Sequence, residues 1–355
     1  MKVLFLTKYG FKAASTRYRF LQYFPILSTY GIECESTSLF DDTYLTRKFD
    51  TGKAKMGDIV RSFSRRTLAA LKAKKYDLLV IHCELFPFIP PTLETFIIRN
   101  SKYVYDYDDA IFHGYDHHAN PIIRRLFKNK IHKVITNAVA VSAGSKYLAA
   151  YARQRNSRVE FIPTAIDLEK YSCSKSNNRN KEKFIVGWVG SPSTAGYLNL
   201  VQNSLNDFCS ITASKFIAIG SGKIDLQVSG LEIRDWTLET EVEDICQFDA
   251  GIMPLIDNHW SRGKCGFKLI QYMACSLPVV ASPVGANLDI VEHGQNGYLA
   301  NSAEEWLQAL SSLHDNPDLR RRMGISGRKL VEEKYCLDVT APRFASLLQS
   351  AAGCS

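Results

Sequence analysis

Between Trp260 and Ala300 the sequence reads WSRGKCGFKLIQYMACSLPVVASPVGANLDIVEHGQNGYLA, which sets Arg262, Gly263, Lys264 and Gly266 directly ahead of an apolar periodic run from Phe267 to Ala274. A helix starting at Phe267 would turn its unpaired N–H groups and the positive end of its dipole toward that loop, with Lys268 in its first turn. Such a cluster of charge is ordinarily a solvated loop; here the glycines and the helix start favour an anion site. A second stretch, GSPSTAG, sets Gly190, Ser191, Ser193 and Thr194 at another helix start, where hydroxyls and backbone N–H groups can hold phosphate without formal charge. In SKYVYDYDDAIFHGYDHH, Asp106, Asp108 and Asp109 follow an apolar strand. Acids at such an edge are functional candidates, or caps of the next helix.

These groups need elements to position them. In residues 1 to 170, short β-branched runs alternate with amphipathic ones: Val3 to Thr7 and a helix from about Thr16, Leu78 to His82 and Pro91 to Arg99, Tyr103 to Asp106, then Val139 to Ser142 and Ser145 to Arg153. Alternation of this kind predicts βαβ units on a parallel sheet. The polar run SCSKSNNRNKEK at 172 to 183 predicts a linker. The pattern then restarts: strands at Phe184 to Val189, Lys215 to Ile219, near Glu232 to Trp236 and Asp249 to Met253, with helices from about Thr194 and Glu239. A length of 355 residues fits two such domains. The expected division is 1 to 171, a linker, 184 to 337, and a closing helical segment at 338 to 355. Ligands of open α/β sheets bind beyond the carboxyl ends of strands, so the two sheets are expected to face one interdomain cleft.

QYMACSLPVVASPVGANLDIVEHGQNGYLA resembles the donor site of family 4 retaining glycosyltransferases, which carry there a Glu-aromatic-Met-Ala helix, a Pro-Val-Val-Ala strand, a Gly loop and an Asn-Gly-Tyr/Phe-Leu turn. IPTAIDLEKY at 162, VGWVGSPSTAGYLNL at 186 and NPDLRRRMGISGRKLVEEKY at 316 extend the resemblance over nearly the whole chain. It implies the GT-B fold, two Rossmann-like α/β/α domains, with the last helix crossing back to the first. It also implies a nucleoside-diphosphate sugar as donor and a glycan or lipid-linked saccharide hydroxyl as acceptor. The departing diphosphate oxygen would deprotonate the acceptor, so no protein nucleophile is demanded.

Gly190, Ser191, Ser193, Thr194, Arg262, Lys264, Gly266, Phe267 and Lys268 are the candidates to hold the donor diphosphate, with Arg262, Lys264 and Lys268 taking over the charge of an Arg/Lys pair that the family carries elsewhere, together with Gly10 in the loop after the first strand, where the family has a Gly-rich loop. Arg262 and Lys268 are catalytic candidates, since charge grows on the leaving diphosphate and cations there count for more in the transition state; Asp109 is the third, because it follows an apolar strand at the sheet edge expected to face the cleft. Gln271 is assigned to the ribose, and Arg17, Glu84, Asp108 and His113 to acceptor or sugar. Arg17 could equally solvate a helix, and Glu84 could cap one. This sequence departs from the family at three points. The Arg/Lys pair expected in the Gly190 to Gly196 stretch is absent, and Gly263 and Gln271 stand where the family has two Glu. The Asp106-Tyr107-Asp108 spacing matches the metal motif of the other glycosyltransferase fold, GT-A. Because the 262 to 268 stretch already supplies positive charge, no metal and no cofactor are expected.

Hydrophobic content of 46% and charged content of 23% are those of a soluble globular protein. No apolar run is long enough to span a bilayer, and MKVLFLTKYG reads as a strand and not as a signal peptide, which points to the cytoplasm. Nine scattered cysteines without a CxxC pair read as reduced thiols. Residues 1 to 170 hold 27 Lys and Arg against 16 Asp and Glu, so the basic excess lies in the first half. Arg124, Arg125, Lys128, Lys130 and Lys133, interleaved with Ile122, Ile123, Leu126, Phe127 and Ile131, form a basic amphipathic stretch that could lie on anionic lipid at the inner face of the cell membrane, or be a solvated helix face. No nucleic-acid motif accompanies it. A Rossmann oxidoreductase is excluded by the lack of GxGxxG after either early strand. The expected function is sugar transfer in bacterial surface polysaccharide assembly, with a catalytically inactive sugar-nucleotide-binding or scaffolding relative as the alternative.

Overall fold

The computed structural model of the chain describes residues 1–98, 101–173 and 183–353. Two compact units emerge: the first holds Met1–Thr164, Arg262–Cys265 and Asp338–Ser355, the second Ala165–Ser261 and Gly266–Leu337. Most of the 172 to 183 stretch read as a linker, residues 174 to 182, lies outside the described residues.

In the first unit six parallel strands, β1 (Lys2–Tyr9), β2 (Glu33–Phe40), β3 (Leu78–His82), β4 (Tyr103–Tyr107), β5 (Ala140–Ala143) and β6 (Val159–Phe161), lie in the order β2-β1-β3-β4-β5-β6. The central strands are buried along their length and are mostly apolar, with His82, Asp106 and Ser142 as buried polar exceptions. One face of the sheet carries Leu4, Leu6, Leu79, Ile81, Tyr105 and Val141 into a core with Phe127, Ile131 and Leu148. On the other face Phe5 meets Phe20, Phe24 and Phe344, the last from the closing helix Leu337–Ala352. Thr340 of that helix shares a hydrogen bond of 2.8 Å with the Tyr23 hydroxyl.

The second unit has its own parallel sheet of β7 (Ile185–Val189), β8 (Lys215–Ile219), β9 (Leu231–Arg234), β10 (Ala250–Met253), β11 (Val279–Ala281) and β12 (Gly297–Leu299), in the order β12-β11-β10-β7-β8-β9. Its core joins Val186, Trp188, Phe208, Phe216, Ile252 and Val280 to Trp306 and Leu310. The helix Phe267–Ala274 forms over the expected residues, its N-cap Gly266 at φ +68°. Two parallel sheets flanked by helices are the two Rossmann-like domains of a GT-B fold.

Not all cysteines are thiols. Cys173 and Cys246 form a disulfide within the second unit, with Cα atoms 5.7 Å apart. Their separation of 73 residues hides the pairing from any local motif, whereas the fold brings the two Cα atoms within bridging range.

Candidate functional site

In the first sheet the chain leaves β1 for β2 on one side and then returns to β3 on the other. The order therefore reverses between β1 and β3, where an open α/β sheet leaves a crevice beyond its carboxyl ends. Lys8 and Tyr9 end β1, and His82 ends β3. After His82 the backbone doubles back through Cys83 at φ +62°, with the Glu84 N–H donating to the His82 carbonyl at 2.7 Å. This tight turn buries Glu84, which accepts from the Tyr115 hydroxyl and pairs with Lys8 at 3.5 Å and Lys130 at 3.4 Å. Burial works against charge on Lys8, but Glu84 outweighs it and holds the ammonium firmly protonated.

Lys130 also donates to Glu94 at 3.0 Å and is only 1% exposed. Its assignment to a membrane surface is therefore corrected: it is an interior cation held by two buried carboxylates. Burial pushes the Glu94 carboxyl up to about 7 in spite of that lysine.

The three acids after β4 have different surroundings. Asp106 is buried in a two-pronged pair with Arg19, at 2.7 and 2.6 Å, and Arg19 also donates to the Ile162 carbonyl at 3.2 Å. Both carboxylate oxygens of Asp106 are thus engaged by Arg19, whereas Asp108 turns to His82. Burial would raise Asp108, but His82 at 3.1 Å and the charge of Arg19 hold it down to about 2. Asp109 is raised by burial at the sheet edge, with Lys264 at 3.8 Å opposing.

The segment Arg262–Cys265 lies along this turn. The Cys265 thiol donates to the Asp108 carbonyl at 2.9 Å, and Gly263 sits so close to Ala110 that a Cβ would come within 2.4 Å of the alanine methyl and 2.9 Å of its backbone nitrogen. That contact explains why no Glu stands at 263. His113 has Nδ1 3.0 Å from Asp116 and Nε2 2.9 Å from the Tyr147 hydroxyl, which burial raises and the charge of Arg262 lowers. Arg17 is buried and donates to the carbonyls of Phe11 and Lys12 at 2.9 and 2.7 Å, bracing the loop after β1. Gly10 abuts Asp42, whose carboxylate accepts from the Lys12 N–H at 2.8 Å.

In the second sheet the order reverses between β7 and β10. Gly190 follows β7, and the Ser191 N–H donates to the Thr194 hydroxyl at 3.3 Å as the short helix Pro192–Ala195 begins. The Ser191 and Ser193 hydroxyls are 2.8 Å apart. Lys268, in the first turn of Phe267–Ala274, lies with its ammonium 5.4 Å from the centre of the Trp188 ring. A Cβ on Gly190 would meet the Trp188 ring at 2.4 Å and the Lys268 chain at 3.0 Å, so glycine there lets both approach the turn. Gln271 is buried and donates its amide to the Tyr171 hydroxyl at 2.8 Å; that hydroxyl donates to Glu241 at 2.9 Å, which also accepts from the Trp236 indole at 2.8 Å.

The structure thus groups Lys268 and Gly266 with Gly190 to Thr194 in the second unit. It groups Arg262 and Lys264 with Asp108, Asp109 and His113 in the first. Sequence reasoning did not single out Lys8, His82 and Tyr147, or the Tyr171–Glu241 link to Gln271. A charged residue ending an apolar strand, as Lys8 and His82 do, is the signal that was available for two of them.

Residues 184–316 match the family model for group 1 glycosyl transferases. A probable sucrose-phosphate synthase of Thermosipho melanesiensis is 30% identical over 84 residues, 24% of this chain and 19% of that protein. The matched stretches span between 19% and 38% of the curated relatives' own lengths. Among solved structures, Anabaena HepE in complex with UDP-glucose superposes with a TM-score of 0.73 at 16% identity, over 99% of this chain and 100% of that one. WaaG, a glycosyltransferase involved in lipopolysaccharide biosynthesis, gives 0.67 at 12% identity over 98% and 99%. At those identities the likeness is one of fold. Residues 184–316, which hold the second sheet and its glycine turn, are thus similar to the group 1 glycosyl transferases, and the chain as a whole has the GT-B fold.

Proposed function

We propose that this chain is a retaining, metal-independent glycosyltransferase that moves a sugar from a nucleoside-diphosphate donor to a hydroxyl of a glycan or lipid-linked saccharide, in bacterial surface polysaccharide assembly. The observation that carries the reading is Lys268 beside the Gly190–Ser191 turn, at the reversal point of a sheet that matches the group 1 family. The UDP-glucose held by HepE supports a nucleotide sugar as donor, and the lipopolysaccharide role of WaaG supports a surface glycan.

In this reading Lys268, Gly266, Phe267 and the Gly190 to Thr194 turn hold the diphosphate, with Gly10, Arg262 and Lys264. Arg262 and Lys268 balance the charge that grows as the sugar leaves. Gln271, oriented by Tyr171, is assigned to the ribose. Asp109 faces the reacting sugar, and Asp108, His113, Glu84 and Arg17 shape the acceptor side, in several cases by holding other residues. The absent Arg/Lys pair and the two absent Glu favour one other reading, a sugar-nucleotide-binding scaffold without turnover.

Thermal stabilisation by a panel of nucleoside diphosphates and their sugars, with and without chelator, tests the donor site, because a ligand that binds only the folded state raises stability by mass action, about 2.7 kcal/mol at a hundred times its Kd. One nucleotide is expected to stabilise selectively, and chelator is expected to leave the shift unchanged. An Arg262→Ala, Lys268→Ala double variant is expected to lose at least tenfold in turnover. Product formed from a defined acceptor separates transferase from scaffold, and undiminished turnover in the double variant would refute the charge role.

A further inference from the structure

No acidic residue occurs between Asp116 and Glu160. Within that run the first unit folds two short helices, Pro121–Phe127 and Lys130–Asn137, which carry Arg124, Arg125 and Lys133 on their exposed surface, with exposed Lys128 in the turn between them. The apolar residues of the first helix divide between two faces. Ile123 and Phe127 turn into the core, whereas Ile122 and Leu126, one turn apart, are 67% and 66% exposed. The surface between the cations is therefore greasy, which a merely solvated helix does not need.

A second observation concerns Phe88. Its ring packs edge-on against Phe127, with centroids 6.4 Å apart, yet the residue is 51% exposed. Its backbone has φ +58°, a conformation a bulky L-residue adopts only when its surroundings impose it. The Phe88 N–H donates to the Tyr115 hydroxyl at 3.1 Å, and Pro90 and Pro91 follow within three residues. The fold thus holds a half-exposed aromatic ring beside the basic helix.

We propose that this face docks on an anionic lipid bilayer, with Ile122, Leu126 and Phe88 entering the boundary between headgroups and acyl chains and Arg124, Arg125 and Lys128 pairing with lipid phosphates. Apolar insertion and an uninterrupted positive field together suit a charged membrane surface. A nucleic-acid backbone would use the cations and gain nothing from the aliphatic side chains. Buried Lys130 takes no part. The inference stands on the first unit alone and does not depend on the transferase reading; if both hold, the surface would bring the enzyme to a lipid-linked acceptor.

The test is flotation of the full chain with vesicles of phosphatidylcholine, alone or mixed with phosphatidylglycerol. Binding is expected only to the mixed vesicles and is expected to fall with added salt. Each cation near the surface contributes about fivefold, so Arg125→Glu with Lys128→Glu should lower the partition coefficient at least tenfold. Ile122→Ser with Leu126→Ser should lower it several-fold and make the remaining binding more sensitive to salt. An unchanged melting transition in each variant establishes that the loss is local. No binding to anionic vesicles, binding that survives both pairs, or tighter binding to a duplex oligonucleotide that ignores the serine pair would overturn the proposal. Nucleotide stabilisation is read separately on the same proteins, so failure of this surface and failure of the donor site are told apart.

Discussion

Glu94 has a basic nitrogen 3.0 Å away and the Phe86 N–H 2.9 Å away, yet burial still lifts its carboxyl to about 7. A carboxyl raised above its unfolded value of roughly 4.3 contributes stability that is full below that value and is lost as pH rises through the folded one. Urea unfolding of the wild type should therefore show stability falling from pH 5 to pH 7.5. Glu94→Gln keeps the shape and should flatten that slope, by about 2 kcal/mol over the interval; parallel pH profiles for the two proteins would show that Lys130 keeps Glu94 charged. Asp108 has the opposite sign. Held down to about 2 by His82 and Arg19 against its burial, it contributes stability above about pH 4 that is lost toward pH 2. Such contrasts were not legible in the sequence, where Asp106, Asp108 and Asp109 are three equivalent acids. They differ because Arg19, His82 and Lys264 reach them from separate parts of the chain.

The elements were largely legible where the side chains themselves carry the pattern. β3, β4 and β7 are buried and mostly apolar, broken only by His82 and Asp106 near the carboxyl ends of β3 and β4, and the helix Phe267–Ala274 has its periodic face and its glycine start. β2 was not, because it is an edge strand whose half-exposed sequence, ECESTSLF, is mostly polar. The segment between the elements was legible as cationic but not as packed. Gly263 has no room for a side chain beside Ala110, so Gly263→Ala should cost about 1–3 kcal/mol by overpacking. Gly57, with nothing within 4 Å of its Cβ position in the helix Met56–Leu71, is the control: Ala there should be neutral or stabilise by about 0.5–1 kcal/mol. Equal melting shifts for the two variants would remove steric contact as the reason for glycine at 263.

On the scale of the whole molecule, a length of 355 residues implied two cores, and two six-stranded parallel sheets supply them. The Cys173–Cys246 bond crosses 73 residues of the second unit. Closing a loop of that size in the unfolded chain should stabilise by roughly 2–5 kcal/mol, so reductant, or Cys246→Ser, should lower the melting temperature of the wild type. Identical melting with and without reductant would mean that the bond does not form in solution.

By itself the sequence determined the class of each buried strand, the start of the helix at Phe267, the basic first half and a glycine turn similar to that of the group 1 glycosyl transferases, because burial and backbone pairing write themselves into local composition and period. Only the tertiary structure decided that Arg19 takes Asp106, that Lys130 is interior, that Lys264 lies by Asp109 while Lys268 lies by Gly190, and that Ile122 and Leu126 face outward. Partners such as Arg19 and Asp106, 87 residues apart, meet through the order in which strands join the sheet, and no spacing along the chain records that order.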